Sequence, residues 1–234
     1  MSNKLIRSIE IEGTDGSGKH TTSVFIAEVI RLVTGKDVEV VSFPQHNTVQ
    51  GALVDEFLYK GLKFKDNEFQ KAIQEGMLYA VDRMVTMNKV KENGKSLKDE
   101  INSGDKFVVF DRYIVSNFIH RSKSMDEEEL KEYIDIMEFV EFNMMGIPKP
   151  DMVFILKVDP EISYQNIIKR GREMDENESL ENIEKAYNKI NDLCKMKNYI
   201  EIECCKTNEE GQRVMRTTKE IADEIIKMMG KFNN

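Results

Sequence analysis

Prolines number four, cysteines three and histidines three in a chain of 234 residues, and each scarcity removes a class of function. Cys194, Cys204 and Cys205 lack the paired short spacing of a thiolate metal site, and adjacent cysteines rarely bridge each other. Neither a disulfide scaffold nor a zinc centre is expected, and the usage suits the reducing cytoplasm. No uncharged apolar run approaches the roughly 20 residues that a membrane-crossing helix needs, so no membrane partner is expected. The chain enters a strand almost at once, so no secretory leader is expected either. Positive charge is also short: 34 Lys and Arg against 42 Asp and Glu leave a formal charge of −8. A duplex binder needs a dominant basic face, so no nucleic acid partner is expected. A local basic pocket for a phosphorylated small molecule is still compatible with that balance.

What is present is concentrated in the stretch LIRSIEIEGTDGSGKHTT, Leu5 to Thr22. Leu5 to Glu12 reads as a strand, with Ile6, Ile9 and Ile11 supplying β-branched mass, and a helix begins near Gly18. Strand, glycine-rich loop and helix start are the context of a phosphate-binding P-loop. Gly13, Gly16 and Gly18 permit the tight turns that aim successive N–H groups at an anion, and the helix end adds its positive dipole. The ATP-binding set read here is Gly13, Thr14, Asp15, Gly16, Ser17, Gly18, Lys19, His20 and Thr21, with Lys19 as the mobile charge that follows the β- and γ-phosphates. One position departs from the pattern: the hydroxyl expected after the lysine is replaced by His20, with Thr21 one place late. A ligand-free glycine turn is the competing reading.

Down the chain, helices are expected over Gly18–Thr34, Val49–Tyr59, Asp66–Val90, Leu97–Asn102, Asp126–Met145, Asp159–Arg170, Leu180–Lys197 and Glu209–Met229. Further strands are expected at Val38–Phe43, Phe107–Phe110, Met152–Val158 and Tyr199–Cys204. The prolines punctuate this order: Pro44 stops the second strand, Pro148 and Pro150 mark a turn, and Pro160 opens a helix. Strands alternating with helical crossovers imply an α/β fold, a five-stranded parallel sheet with helices on both faces. With no linker and no repeat, residues 1–234 are expected to form a single domain.

FVVFDRY, Phe107 to Tyr113, is a second anchor. In an open parallel sheet the carboxyl ends of the strands share one edge, where ligands bind. Asp111 and Arg112 are therefore expected near the P-loop, the acid to hold Mg²⁺ through water and the arginine to grip a phosphoryl group. Tyr79 and Arg83, four apart on a helical stretch, can face one pocket and suit a flat base bearing an exocyclic oxygen. The alternative for that pair is a core tyrosine beside a surface arginine.

At this point the chain resembles thymidylate kinases. The resemblance is carried by EGTDGSGK at Glu12 to Lys19, FP at Phe43 and Pro44, LYAVDR at Leu78 to Arg83, and DRYIVS at Asp111 to Ser116. It implies a P-loop NTPase three-layer fold and transfer of the γ-phosphoryl of ATP to dTMP, giving dTDP, with Mg²⁺ as cofactor. It also implies a homodimer. By the same resemblance the acceptor set is Asp15, Phe43, Tyr79, Arg83, Arg112, Ser116 and Arg121. Tyr79 would stack on thymine, Arg83 would hydrogen-bond the base and Arg112 would bind the acceptor phosphate. KRGRE at Lys169 to Glu173 falls where the family has a mobile lid, here read as 169–178. No arginine lies in the P-loop itself, so transition-state charge falls to Arg170 and Arg172, which join Lys19 and Arg112 as the catalytic set. A solvated helix end rich in cations is the other reading of that segment.

The three histidines all lie in these motifs. His20 takes the place of the metal-binding hydroxyl, and His46 stands where many of the resembled kinases have an arginine. His120 and Arg121 stand where bacterial relatives commonly have Tyr-Gln. The donor grip is therefore intact while parts of the metal and acceptor sites are altered. A switch GTPase is not expected, because no N-K-x-D occurs. A deoxynucleoside kinase, a kinase for another nucleoside monophosphate and a non-catalytic nucleotide binder remain as alternatives.

Overall fold

The structure is a computed structural model that describes residues 5–171 and 178–232. Five parallel strands form the sheet: β1 (Ser8–Gly13), β2 (Asp37–Ser42), β3 (Lys106–Asp111), β4 (Met152–Lys157) and β5 (Ile200–Glu203), in the order β2-β3-β1-β4-β5. The order reverses direction at β1, flanked by β3 and β4. The crevice at such a switch point is where open α/β sheets bind ligands. The α/β expectation holds, and both faces are covered.

One face carries α1 (Lys19–Thr34) and α9 (Thr218–Phe232), packed on Ile9, Ile11, Val109, Phe154 and Ile202. The other carries α3 (Glu68–Asn88), α5 (Ile114–His120), α6 (Glu127–Glu138) and α8 (Leu180–Met196), packed around Val108, Phe110 and Ile155. The remaining helices are α2 (Ala52–Tyr59), α4 (Leu97–Ser103) and α7 (Pro160–Lys169).

Side chains alternate across a strand, and in β1 that alternation has a consequence. Ile9 and Ile11 enter the α1 core, which leaves Ser8, Glu10 and Glu12 on the opposite face, all buried. A central parallel strand is ordinarily apolar on both faces. Here the start of α5 meets the acids. Val115 N–H donates to Glu10 Oε1 at 3.0 Å, and the Ser116 hydroxyl donates to Glu12 Oε2. Glu12 Oε1 accepts from Gly13 N–H at 2.9 Å. The two carboxylates thus dock α5, and with it Arg112, onto the strand that feeds the glycine loop.

Three expectations change. The helix expected over Glu209–Met229 begins only at Thr218, after a hairpin of β6 (Cys205–Thr207) and β7 (Arg213–Met215). Asn208 Oδ1 accepts from the amides of Glu210 and Gln212, at 3.1 and 2.8 Å, and folds the turn. Thr217 and Glu220 then form a reciprocal cap, Glu220 N–H to Thr217 Oγ1 at 3.2 Å and Thr217 N–H to Glu220 Oε2 at 2.8 Å. That T-x-x-E was legible and outweighs the helical propensity before it. Second, Ile114–His120 is helical, where no helix was expected. Third, the Asp126–Met145 helix changes character at Phe139, becoming a π-helical turn through Met144.

Glu10 Oε2 has no hydrogen-bond partner. Burial, with the charge of Glu12 beside it, raises the Glu10 pKa well above its ordinary value near 4.5. The folded state therefore keeps a proton that the unfolded chain releases, and stability falls as pH rises through that window. Glu10→Gln still accepts the Val115 amide but cannot ionise. Its thermal midpoint relative to wild type should climb by several degrees between about pH 5 and about pH 8, at roughly 2–4 °C per kcal/mol. A difference independent of pH would show that Glu10 does not titrate with unfolding.

Candidate functional site

The loop from Gly13 to Lys19 joins β1 to α1. Gly18 caps the helix in the left-handed region, with φ 81°, and makes no side-chain capping hydrogen bond. The first-turn amides are thus not capped by the protein's own side chains, and a helix start in that state attracts anions. Gly16 (φ 82°) presses against α7: a Cβ there would lie 2.2 Å from the Ser163 carbonyl oxygen. The same helix buttresses the loop through Thr14 Oγ1 to Ser163 Oγ, 3.1 Å, and Asn166 Nδ2 donating to the Gly16 carbonyl at 3.0 Å. Neither Ser163 nor Asn166 was singled out from sequence. Their i, i+3 spacing behind the Asp159–Pro160 cap was the available signal.

Lys19 Nζ donates to the loop's own carbonyls, Gly13 at 2.9 Å and Thr14 at 2.8 Å. Burial, together with the charge of Arg112, lowers its pKa to about 8, against the pull of Asp15 and Glu12. Arg112 follows β3 with φ 67°, a left-handed conformation that costs a non-glycine residue energy. Its guanidinium pairs with Asp15 and meets His120 Nε2 at 3.2 Å. Burial opposes ionisation of Asp15, but Arg112 and Lys19 outweigh it and hold the carboxyl well below the usual range. Burial likewise pushes the His120 pKa well down, which leaves its ring neutral and able to accept from Arg112.

Asp111 stands at the carboxyl edge beside Ser42, its register partner on β2. Its Oδ2 accepts from Ser42 Oγ at 3.0 Å and meets His20 Nδ1 at 2.8 Å. His20, instead of reaching into the loop, is tied to the strand-end acid, while Thr21 faces away and is exposed.

Asp15, Phe43, Tyr79, Arg83, Arg112, Ser116 and Arg121 all line one cavity of about 380 Å³, together with His20 and Asp111. The sequence-expected acceptor set is therefore brought together. Tyr79 and Arg121 form one wall: the Arg121 guanidinium stands 5.9 Å from the Tyr79 ring and 5.3 Å from that of Phe57, and donates to Glu75 at 2.6 Å. Arg83 is not the surface arginine of the alternative reading: it lines the cavity with its guanidinium held in place. At 1% exposure it makes a paired contact with Glu141, Nε and Nη2 each at 2.6 Å, and Nη1 donates to the Tyr113 carbonyl at 3.3 Å. Glu141 was not foreseen, although it continues the buried α6 stripe of Leu130, Ile134 and Met137.

Of the lid arginines, Arg170 ends α7 with Nη1 3.9 Å from the Glu178 carboxylate and lines neither cavity; Arg172 lies outside the described residues. A second cavity, of about 600 Å³, opens between α7, Leu180 and the β6–β7 hairpin. Met215 of that hairpin reaches the P-loop, 3.2 Å from where a Cβ on Gly18 would be.

The family model described as thymidylate kinase matches residues 11–214. The chain belongs to the thymidylate kinase family. It is 31% identical over 165 residues to the probable thymidylate kinase of Archaeoglobus fulgidus, covering 70% of each chain. It is 26% identical over 225 residues to that of Pyrobaculum aerophilum, covering 94% of this chain and 95% of the other. Among solved structures the thymidylate kinase of Candida albicans shares the fold, with a TM-score of 0.64 at 18% identity over 97% of this chain and 93% of that one. The family assignment brings with it an ATP-dependent nucleoside monophosphate kinase, the fold and the P-loop.

Gly16→Ala should abolish this loop's geometry, because the methyl group meets a backbone carbonyl at positive φ. ATP affinity should fall by at least about tenfold, with a stability loss on the order of 2 kcal/mol or more. Gly35→Ala, at φ 67° with open space around it, is the control and should leave ATP affinity intact. Equal ATP affinity in the Gly16 variant and wild type would show that the loop does not hold the donor.

Proposed function

We propose that this protein transfers the γ-phosphoryl group of ATP to dTMP, giving dTDP and ADP. The observation that carries this reading is a single cavity lined by Arg112 with its ion-pair partner Asp15 and by Tyr79 and Arg121, open beside the P-loop. The P-loop amides and Lys19 take the donor phosphates, Lys19 exchanging the loop carbonyls for phosphate oxygens. Arg112 takes the acceptor phosphate, whose oxygen attacks the γ-phosphorus in line while ADP departs. Such a transfer asks little covalent chemistry of the protein, so fixed charge and alignment supply the acceleration. Arg170 and Arg172 of the lid meet the charge of the transferring group. The cavity against the hairpin, adjoining the P-loop through Met215, takes the donor base.

The Asp111 carboxylate and the Ser42 hydroxyl are hard oxygen donors and fit Mg²⁺, with Asp111 acting through water. When bound with ATP, the ion neutralises charge on the β- and γ-phosphates. We further propose a cytoplasmic homodimer, on family resemblance, with the chain forming one nucleotide kinase domain. Among the described residues no helix is long and apolar enough to cross a membrane.

ADP release measured over a panel of nucleoside monophosphates and nucleosides tests the reading. The kcat/KM for dTMP should exceed those for dCMP and dGMP, because the arginines at the base end donate and cannot accept. Equality of dCMP with dTMP would sink the base-pocket reading, and phosphorylation of thymidine alone would make the protein a nucleoside kinase. His20→Thr restores the hydroxyl next to the lysine. It should lower the Mg²⁺ concentration needed for half-maximal rate by several-fold while keeping activity, as judged by titrating Mg²⁺ at fixed ATP. An unchanged requirement would overturn the metal reading.

A further inference from the structure

The acceptor cavity wall contains an ion pair that the transfer reaction does not require. Arg83, on α3, and Glu141, on the π-helical turn after α6, are 1% and 0% exposed. A buried pair of this kind is weak support for stability, since desolvating both charges offsets most of their attraction. Packing alone would be served by two apolar side chains of similar volume. What distinguishes the pair is its place: Arg83 lines the cavity that holds Tyr79 and Arg121.

The guanidinium is fixed from three sides. Glu141 binds Nε and Nη2, both at 2.6 Å; the Tyr113 carbonyl takes Nη1 at 3.3 Å; and the Tyr113 ring lies 5.9 Å beneath the guanidinium carbon. Tyr113 itself is stacked on Phe110, with centroids 4.1 Å apart. Of the five N–H groups of an arginine, three are thereby committed, which leaves one on Nη1 and one on Nη2. Glu141 reaches this position because it continues the Leu130, Ile134, Met137 stripe within the π turn, closed by Met145 N–H to the Val140 carbonyl at 2.8 Å. The other buried acid near Arg83, Glu10, accepts from Val115 N–H through Oε1 and makes no hydrogen bond to the guanidinium.

We propose that Glu141 is a positioning residue for acceptor selection: by clamping Arg83 it presents the two uncommitted N–H groups to a carbonyl oxygen of the pyrimidine base. This rests on the dTMP kinase reading. A clamped donor pair favours a base with an oxygen at that edge and disfavours an exocyclic amine, and rotation of the guanidinium would blur the distinction.

Glu141→Gln is close in shape but neutral. In ADP-release assays its KM for dTMP should rise about tenfold or more, with kcat within about threefold and KM for ATP unchanged. The ratio of kcat/KM for dTMP to that for dCMP should fall about tenfold. A merely structural pair would instead lower the thermal midpoint and the active fraction, moving kcat and leaving KM and the ratio alone; that result overturns the proposal. Should Glu141→Gln not fold, Arg83→Met/Glu141→Met removes both buried charges together. A reduced dTMP-to-dCMP ratio in the double variant supports the proposal, and a wild-type ratio overturns it. Wild-type turnover of dTMP in the same assay reads the underlying function separately, so failure of the clamp and failure of the kinase reading are distinguishable.

Discussion

Two carboxylates on one face of the central strand set much of the arrangement around the site. Glu10 and Glu12 sit where a parallel sheet ordinarily carries valine or isoleucine, and an unsatisfied acid at that depth is costly. The chain answers with the segment after β3. The Val115 amide and the Ser116 hydroxyl bind the acids directly, and Arg112 comes to 3.8 Å from Glu12. Satisfying the strand therefore brings a second strand end onto the P-loop edge. Donor loop and acceptor grip share one origin, the polar face of β1.

The site built on that edge is held by charge. Asp15, Lys19, Arg112 and His120 form a connected group in which each member alters the next. Asp15 stays ionised because two cations outweigh its burial, and His120 stays neutral because burial outweighs Asp15. The left-handed backbone at Arg112 lies within the same group. Such conformations persist where the surroundings over-determine them, which is common at functional sites. Charges arranged before substrate arrives need little rearrangement during the reaction, and this is how an enzyme with no covalent role stabilises a phosphoryl transfer.

The histidines show how local exchanges are absorbed. His20 leaves the loop's metal position and pairs with Asp111; His120 becomes a neutral acceptor for Arg112; His46, which lines the cavity, pairs with Asp55 at 2.5 Å. The first joins the P-loop to a strand end 91 positions away, while the other two are local, eight and nine positions apart. The substitutions thus change contacts at the rim while the backbone amides that cradle phosphate are preserved.

The sequence by itself determined the sheet, its strands and the two loops that meet at its edge, because alternation of apolar residues, glycine spacing and proline placement are local and are read directly. It also placed Asp111 and Arg112 beside the P-loop, since strand ends converge on one edge of a parallel sheet, while the rest of the acceptor set followed from the family resemblance. Tertiary structure decided the partners. Arg83 is a buried cation and not the surface arginine of one reading, because Glu141, 58 positions away, occupies a core stripe opposite it. The hairpin before α9 replaced an expected helix because an Asn208 turn and the Thr217 cap, together with the surface offered by the P-loop and α7, outweighed propensity. The physical reason is common to these cases. Propensity and pattern act over a few residues, whereas satisfying a buried charge or covering a loop depends on whatever the fold brings from far along the chain.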